Sequence, residues 1–326
     1  MKIAIAGSGA LGSGFGAKLF QAGYDVTLID GYTSHVEAVK QHGLNITING
    51  EAFELNIPMY HFNDQPDESI YDVVFLFNDQ PDESIYDVVF LFPKSMQLKE
   101  VMEDMKPHID NETIVVCTMN GLKHEEVIAQ YVAQSQIVRG VTTWTAGLES
   151  PGHSHLLGSG PVEIGELVDE GKENVIKVAD LLNEAELNGV ISKDLYQSIW
   201  KKICVNGTAN ALSTVLECNM ASLNESSYAK CLIYKLTQEI VHVATIDNVH
   251  LNVDEVFEYL VDLNEKVGAH YPSMYQDLIV NNRKTEIDYI NGAVATLGKQ
   301  RHIEAPVNRF ITDLIHTKES QRHAQD

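Results

Sequence analysis

The chain has 326 residues, 44% of them hydrophobic and 21% charged, with a formal net charge of −23. That length is too great for one ordinary compact core and suits two domains, and the composition is that of a globular protein. The negative charge argues against nucleic acid or an anionic membrane surface as a partner, because either would be repelled.

In chain order, Lys2-Ile3-Ala4-Ile5-Ala6 is a short apolar run that breaks at Gly7-Ser8-Gly9-Ala10-Leu11-Gly12. A helix-compatible stretch carries on to Gln21, Gly23 offers a stop, and a second run, Val26-Thr27-Leu28-Ile29, ends on Asp30. In a dinucleotide site the first glycine allows the tight turn, the second lets the backbone approach a pyrophosphate, and the third lets the helix pack on the strand. The helix amino end offers free N–H groups and partial positive charge to the phosphates. An acid about twenty residues further on receives the ribose hydroxyls. Gly7, Ser8, Gly9, Ala10, Leu11, Gly12 and Asp30 are therefore expected to bind a dinucleotide.

Beyond Asp30 the pattern stays α/β. Residues 35–42 read as a helix closed by Gly43, and residues 44–55 alternate around Asn49-Gly50, a hairpin signal. Residues 62–76 are then repeated without change as residues 77–91. A single perfect tandem copy is not a solenoid, which needs several units that each bury a face. The second copy runs directly into Lys94 and the following helix, so it is expected to supply the sheet strand, with the first copy an extra strand or an extruded loop. A helix over 95–105, a buried strand over 113–118, a helix over 122–132 and a strand over 137–144 follow. Pro151-Gly152 turns a hairpin whose return arm is expected through residues 161–165, and a helix over 173–185 closes the first domain.

From residue 193 strands give way to helical spacing over residues 194–216, 227–246, 253–266, 285–299 and 307–317, with a polar, frayed tail from Lys318. The expected fold is α/β: an N-terminal Rossmann-type doubly wound domain, residues 1–192, followed by an all-α domain, residues 193–326.

The four cysteines, Cys117, Cys204, Cys218 and Cys231, lack C-x-x-C spacing and sit in apolar or helical contexts. Reduced, buried thiols in a cytoplasmic protein are expected. No signal peptide is expected before the first strand, and no apolar run approaches the length of a membrane span. His124, His153, His155 and His270 are scattered without the spacing of metal ligands, so no metal site is expected. Trp144 and Trp200 read as packing residues, although Trp144 ends a strand, and Asp277 and Asp288 read as helix-surface acids.

The most informative constellation is Trp200-Lys201-Lys202-Ile203-Cys204-Val205-Asn206-Gly207-Thr208-Ala209-Asn210. Lys202, Asn206 and Asn210 are spaced by four and share one face of a helix. Asn, Gly and Thr are poor helix formers, so local propensity does not explain them there. An ammonium with two amides on one stripe can hold a carboxylate and a carbonyl. A solvated face is the ordinary fate of such residues, and these residues alone leave both readings open.

Taken together, the G-S-G-A-L-G turn, Lys94 in F-P-K-S-M-Q, Asn120-Gly121 after a strand, the helix just described, and Ser273-Met274-Tyr275-Gln276-Asp277 followed by Thr285-Glu286-Ile287-Asp288-Tyr289-Ile290-Asn291-Gly292 resemble the ketopantoate reductase family. The likeness runs in order over nearly the whole chain. It implies a Rossmann domain, a helical substrate domain, and a cleft between them in which a 2-keto acid is reduced. Carried over residue by residue, Lys202 looks like the catalytic lysine and Glu286 like the acid that supports it. Asn120, Asn206, Asn210 and Ser273 look like polar ligands of substrate, with Asn120 also able to hold the nicotinamide ribose, and Lys94 like a cofactor-side lysine.

Hydride addition to a ketone leaves a developing alkoxide, which needs a proton donor and positive charge where it forms. Lys202 can supply both if burial brings its pKa down from about 10.4. Glu286 opposes that shift by pairing, so it orients the ammonium. Within the family the chain resembles the NAD-dependent D-2-hydroxyacid dehydrogenase branch, of the D-mandelate dehydrogenase type, whose substrates carry aromatic or branched side chains. NAD is the expected cofactor, because the NADPH-dependent members place a basic residue near the end of the second strand and this chain has Asp30-Gly31-Tyr32. The NADPH-dependent 2-dehydropantoate 2-reductases of pantothenate synthesis are the runner-up, and a non-catalytic NAD sensor is a remote alternative. A small-molecule 2-keto or 2-hydroxy acid and a second copy of the chain, as a homodimer, are the expected partners.

Overall fold

The computed structural model describes residues 1–62 and 85–324. They gather into two compact units, the first made of Met1–Met119 with His124–Leu195 and the second of Asn120–Lys123 with Tyr196–Asp326.

The first unit begins β1 (Lys2–Ala6), α1 (Ala10–Gln21), β2 (Asp25–Asp30), α2 (Thr33–His42), β3 (Leu44–Ile48), β4 (Glu51–Leu55), β5 (Met59–His61) and β6 (Val88–Leu91). It continues α3 (Leu98–Met105), β7 (Ile114–Cys117), α4 (His124–Ile128), β8 (Ile137–Thr142), β9 (Thr145–Ser150), β10 (His153–Leu157), β11 (Val162–Glu166), α5 (Lys172–Glu184) and β12 (Gly189–Ile191). Among the described residues the main sheet has the order β12-β11-β8-β7-β6-β1-β2-β5. It is parallel from β8 to β5, and β11 joins β8 antiparallel. Its central strands β6 and β7 read Val-Val-Phe-Leu and Ile-Val-Val-Cys and are buried at every position. Such unbroken apolar runs mark strands covered on both faces.

The end of the second repeat copy is therefore a central strand, with Ile3 beside Val88 and Ala6 beside Leu91. The corresponding residues 73–76 of the first copy lie outside the described residues.

A second sheet, β4-β3-β10-β9, contains the hairpin expected at Asn49-Gly50. Helix α1 serves both sheets. A Cβ on Gly16 would press on Leu28 and Ile5 of the main sheet, whereas one on Gly14 would lie 2.8 Å from the Leu156 side chain of β10. The run Gly12, Gly14, Gly16 is thus required by a helix packed on two sides, which the dinucleotide motif alone does not account for.

The second unit is helical: α6 (Leu195–Val205, its first residue falling in the first unit), α7 (Ala211–Leu216), α8 (Met220–Glu225), α9 (Ser227–Ala244), α10 (Val253–Val267), α11 (Ser273–Tyr275), α12 (Asn291–Gln300) and α13 (Pro306–Arg322). A Rossmann-type sheet with helices is followed by a helical domain. No helix among the described residues is long and apolar enough to cross a membrane.

Several expected elements are corrected. The Pro151-Gly152 hairpin exists, but its return arm is β10, and residues 162–166 pair with β8 in the other sheet. The helix expected over 122–132 is reduced to α4, whose first residue, His124, is bonded to Arg139 and Ser95. Helix α5 does not end the sheet-forming region, since β12 follows and pairs with β11. The stretch expected to be helical from 285 becomes helical only at Asn291, after a single 3₁₀ turn over Ile287–Tyr289. The tail is not frayed at Lys318: α13 runs to Arg322, with Lys318 donating to the Thr214 and Val215 carbonyls and Arg322 to those of Leu278 and Ile279. Those cations satisfy carbonyls where helices end, which sequence periodicity does not register.

Candidate active site

In the first unit the glycine loop is bolted in place before α1 starts. Gly7 has φ +89, and its N–H and that of Ser8 both donate to the Ile29 carbonyl, at 2.8 and 3.1 Å. The buried Ser8 hydroxyl donates to the Ile5 carbonyl at 2.7 Å and accepts from the Ile29 N–H at 2.9 Å, so one side chain ties the loop to both β1 and β2. The Ser8 carbonyl in turn accepts from Ser13 Oγ at 2.7 Å and from His35 Nε2 at 3.1 Å. The Gly152 N–H donates to His35 Nδ1 at 2.8 Å, which leaves the ring proton on Nε2, facing Ser8. Burial pulls the His35 pKa down, which favours the neutral ring that this bonding pattern uses.

These residues fit a dinucleotide. Gly9 precedes α1 without a side-chain cap, and a Cβ built there would meet no protein atom within 4 Å, so packing does not demand glycine and the position is open to the approach of a ligand. Ala10, Leu11 and Gly12 form the first turn of α1. At the end of β2, Asp30 Oδ1 accepts the Tyr32 N–H at 2.8 Å. Burial raises its carboxyl above the usual value, against that hydrogen bond and the neighbouring His35 and His61. Lys94 follows β6, where Phe92 and Pro93 lie against Gly7, and so stands next to the loop.

Arg139 is a site-building residue that sequence reasoning missed. It is 1% exposed, and Nη1 donates to the carbonyls of Cys117 and Met119 at 2.8 and 3.3 Å, fixing the chain that leads into Asn120. Nη2 donates to His124 Nδ1 at 3.2 Å, so His124 presents its Nε2 proton to Ser95 Oγ at 2.9 Å. An arginine inside the apolar strand Ile-Val-Arg-Gly-Val-Thr was the available signal. His35 gave none, being one polar residue in an unremarkable helix.

In the second unit the expected substrate residues come together. Asn206 Nδ2 donates to Asn120 Oδ1 at 3.2 Å, Asn210 Nδ2 to Asn206 Oδ1 at 3.4 Å, and Asn210 Nδ2 also to Ser273 Oγ at 3.4 Å. The Leu122 N–H donates to the Tyr289 carbonyl at 2.9 Å, which ties the Asn120 segment to the turn that follows Glu286. Lys202 stands one turn before Asn206 on α6, and burial lowers its ammonium pKa.

The helix carrying these residues is not continuous. Asn206–Asn210 is a π-helical turn between α6 and α7, and a second π turn, Gln276–Val280, follows α11. A π turn misses regular backbone bonds, and such turns occur often at functional sites. Thr208 Oγ1 donates to the Cys204 carbonyl and Thr214 Oγ1 to that of Asn210, each at 2.7 Å. The Gly207 carbonyl accepts from Asn291 Nδ2 at 2.8 Å. The poor helix formers in this segment are thus residues that complete a widened turn.

Other candidates separate cleanly. Trp144 is buried, and the Trp200 indole N–H donates to Asp247 at 2.8 Å; both pack. Asp277 is not a surface acid: it is 4% exposed and paired with Arg283 at 3.0 Å. Asp288 is exposed and bonded to His316. Cys117 and Cys204 are buried free thiols, whereas Cys218 is half-buried and Cys231 exposed, which corrects the expectation for those two.

The chain is similar to known proteins over nearly its whole length. Residues 3–169 match the family model described as ketopantoate reductase PanE/ApbA, and residues 194–319 match its C-terminal model. A 2-dehydropantoate 2-reductase of Lactococcus lactis subsp. lactis is 43% identical over 321 residues, covering 98% of each chain. One from Streptococcus pyogenes serotype M3 is 40% identical over the whole of both chains. Among solved structures, a ternary complex of D-mandelate dehydrogenase with NADH and anilino(oxo)acetate is similar over the whole of both chains, with a TM-score of 0.92 and 41% identity.

Proposed function

This chain belongs to the ketopantoate reductase family, and from that premise we propose an NAD-dependent D-2-hydroxyacid dehydrogenase that interconverts a 2-keto acid bearing an aromatic or branched side chain and the D-2-hydroxy acid. Its class is that of oxidoreductases acting on the CH–OH group of 2-hydroxy acids. The observation that carries the reading is the unbroken chain Asn120–Asn206–Asn210–Ser273, whose two middle residues share a helical segment with a lysine of lowered pKa.

Bound nicotinamide supplies the hydride. The glycine loop and the start of α1 hold the pyrophosphate, Asp30 the adenosine ribose, and Lys94 adds positive charge on the cofactor side. Asn206, Asn210 and Ser273 hold the carboxylate and carbonyl of the keto acid, with Asn120 at the carbonyl or the nicotinamide ribose. Lys202 places its ammonium at the oxygen where negative charge develops and gives up a proton there. Glu286 orients that ammonium. Lowering of the lysine pKa by burial brings it nearer working pH, which general acid–base catalysis requires.

Asp30 supports NAD over NADP. A carboxylate accepts hydrogen bonds from ribose hydroxyls and repels a 2′-phosphate. The aromatic side chain is supported by the relative whose complex holds NADH and anilino(oxo)acetate. A second reading, NADPH-dependent 2-dehydropantoate 2-reductase, is favoured by the names of relatives at 40–43% identity. The test of the reading as a whole is NADH oxidation with a panel of 2-keto acids. Turnover that depends on the keto acid is expected; its absence with every acid and both cofactors would leave a nucleotide-binding protein without the chemistry.

A further inference from the structure

Glu286 sits in a turn held from both sides by one helix. Immediately before it, the Thr285 N–H and hydroxyl donate to Glu319 Oε1 of α13 at 2.7 and 2.8 Å. Two residues after it, Asp288 Oδ1 lies 2.9 Å from His316 Nε2, also of α13. The other nitrogen of that ring, Nδ1, lies 2.9 Å from Glu319 Oε2. The imidazole thus stands between two carboxylates: Glu319, which holds Thr285 just before Glu286, and Asp288, which lies just after it.

A neutral imidazole has one N–H and can donate to only one of two carboxylates; an imidazolium satisfies both. We propose that His316, as the imidazolium, is a positioning residue that clamps the turn carrying Glu286. Protonation of a group touching neither substrate nor cofactor then governs how firmly Lys202 is oriented. The proposal rests on the role given above to Glu286.

Several other charged groups on α13 and the elements beside it are engaged elsewhere or exposed. Glu239 of α9 accepts from the Val307 and Asn308 N–H groups, Lys318 pairs with Glu217, and Lys299 is exposed in the last turn of α12. Asp288 and Glu319 therefore set the ring's titration. Burial lowers the pKa of His316, but the hydrogen bonds to Asp288 and Glu319 and their charges outweigh it, and the net shift is upward. The clamp is accordingly complete below the ordinary histidine value and is lost as pH rises through the raised one. When the ring gives up its proton, one carboxylate loses its donor and one side of the turn is released.

The experiment compares pH profiles of kcat and KM for 2-keto acid reduction in the wild type, His316→Gln and His316→Lys, with and without Glu286→Gln. His316→Gln is expected to lower kcat about tenfold to a hundredfold, the scale of a misplaced catalytic group, with NADH affinity unchanged. In the Glu286→Gln background it is expected to cost nothing further. A lysine at 316 keeps a cation that does not titrate near neutrality, so it should restore kcat and remove one step from the alkaline limb, leaving that of Lys202. An equal loss in both backgrounds, or a folded His316→Lys protein without restored kcat, would overturn the clamp.

A second readout needs no activity: NMR titration of the His316 ring in the wild type and in Asp288→Asn. A raised ring pKa that falls in the variant supports the clamp; an ordinary pKa, or one unmoved by Asp288→Asn, overturns it. If no 2-keto acid is reduced at all, the reading of function fails separately while this titration still decides the clamp.

Discussion

Asn206 of the π-helical turn donates from Nδ2 to Asn120 Oδ1 at 3.2 Å, across 86 positions of sequence. That bond, with Leu122 N–H to Tyr289 carbonyl, ties Asn120–Lys123 to the helical unit although strands precede and follow it in the chain. A polar residue launched from the end of a Rossmann strand thus becomes part of the amide set on α6 and its π turn.

Breaking this chain should weaken handling of the keto acid and spare the cofactor. Asn206→Ala removes an amide that both donates and accepts. Loss of such partners costs about 1–3 kcal/mol, or roughly tenfold to a hundredfold in kcat/KM. Steady-state kinetics with NADH held saturating, alongside a fluorescence titration of NADH, check it; an equal loss of NADH affinity would contradict the assignment.

Lys202→Met should abolish reduction while leaving the fold intact or firmer. The variant trades an ammonium that burial already penalises for an apolar chain of similar length. A loss of kcat of about a hundredfold to ten-thousandfold is expected for removal of a general acid, with an unchanged or raised Tm. In the wild type, reduction should decline as pH rises through the lowered lysine pKa, because the acid form is then depleted, whereas oxidation of the hydroxy acid should gain. Near-normal turnover of the variant would remove Lys202 from the chemistry.

The two glycines Gly9 and Gly14 should respond in opposite ways. Gly14→Ala places a methyl 2.8 Å from Leu156 and 3.1 Å from that residue's Cβ, so overpacking of about 1–3 kcal/mol is expected. Gly9→Ala meets no protein atom and should cost no more than about 1 kcal/mol at the N-cap, yet it should weaken NADH binding. Thermal melts and NADH titrations of both variants distinguish the cases; a Gly9→Ala protein that binds NADH normally would remove the pyrophosphate from that position.

Asp30→Ala should shift cofactor choice toward NADPH. The carboxylate stands at the end of β2, held by the Tyr32 N–H, and its removal takes away both a ribose acceptor and the charge that repels a 2′-phosphate. The ratio of kcat/KM for NADH to that for NADPH is expected to fall about tenfold or more, as one charged hydrogen-bond partner is lost. An unchanged ratio would assign discrimination to another residue.

Much of this was legible in the sequence because it is local. The glycine turn, Asp30 and the asparagine spacing lie within single elements, and the resemblance to the family joined them. What escaped depends on contacts between distant residues. Gly14 reflects a sheet that reaches α1 from residues 153–157, whereas Gly16 faces Leu28 and Ile5 of the main sheet. The π turn is invisible to a period-3.6 pattern, although the clustering of Asn, Gly and Thr hinted at it. Arg139, His35 and His316 act through carbonyls and carboxylates far away in the chain, and one polar residue in an apolar strand was the most that sequence could offer. Glu286 was expected inside a helix, yet it lies before a 3₁₀ turn that Glu319 and His316 hold from α13.

The most direct test is the specificity matrix of the wild-type protein: kcat/KM with NADH and with NADPH, each against benzoylformate, a branched 2-keto acid and ketopantoate. NADH with an aromatic or branched acid is expected to be the best pair. NADPH with ketopantoate as the best pair would contradict the proposed function and make this chain a 2-dehydropantoate 2-reductase.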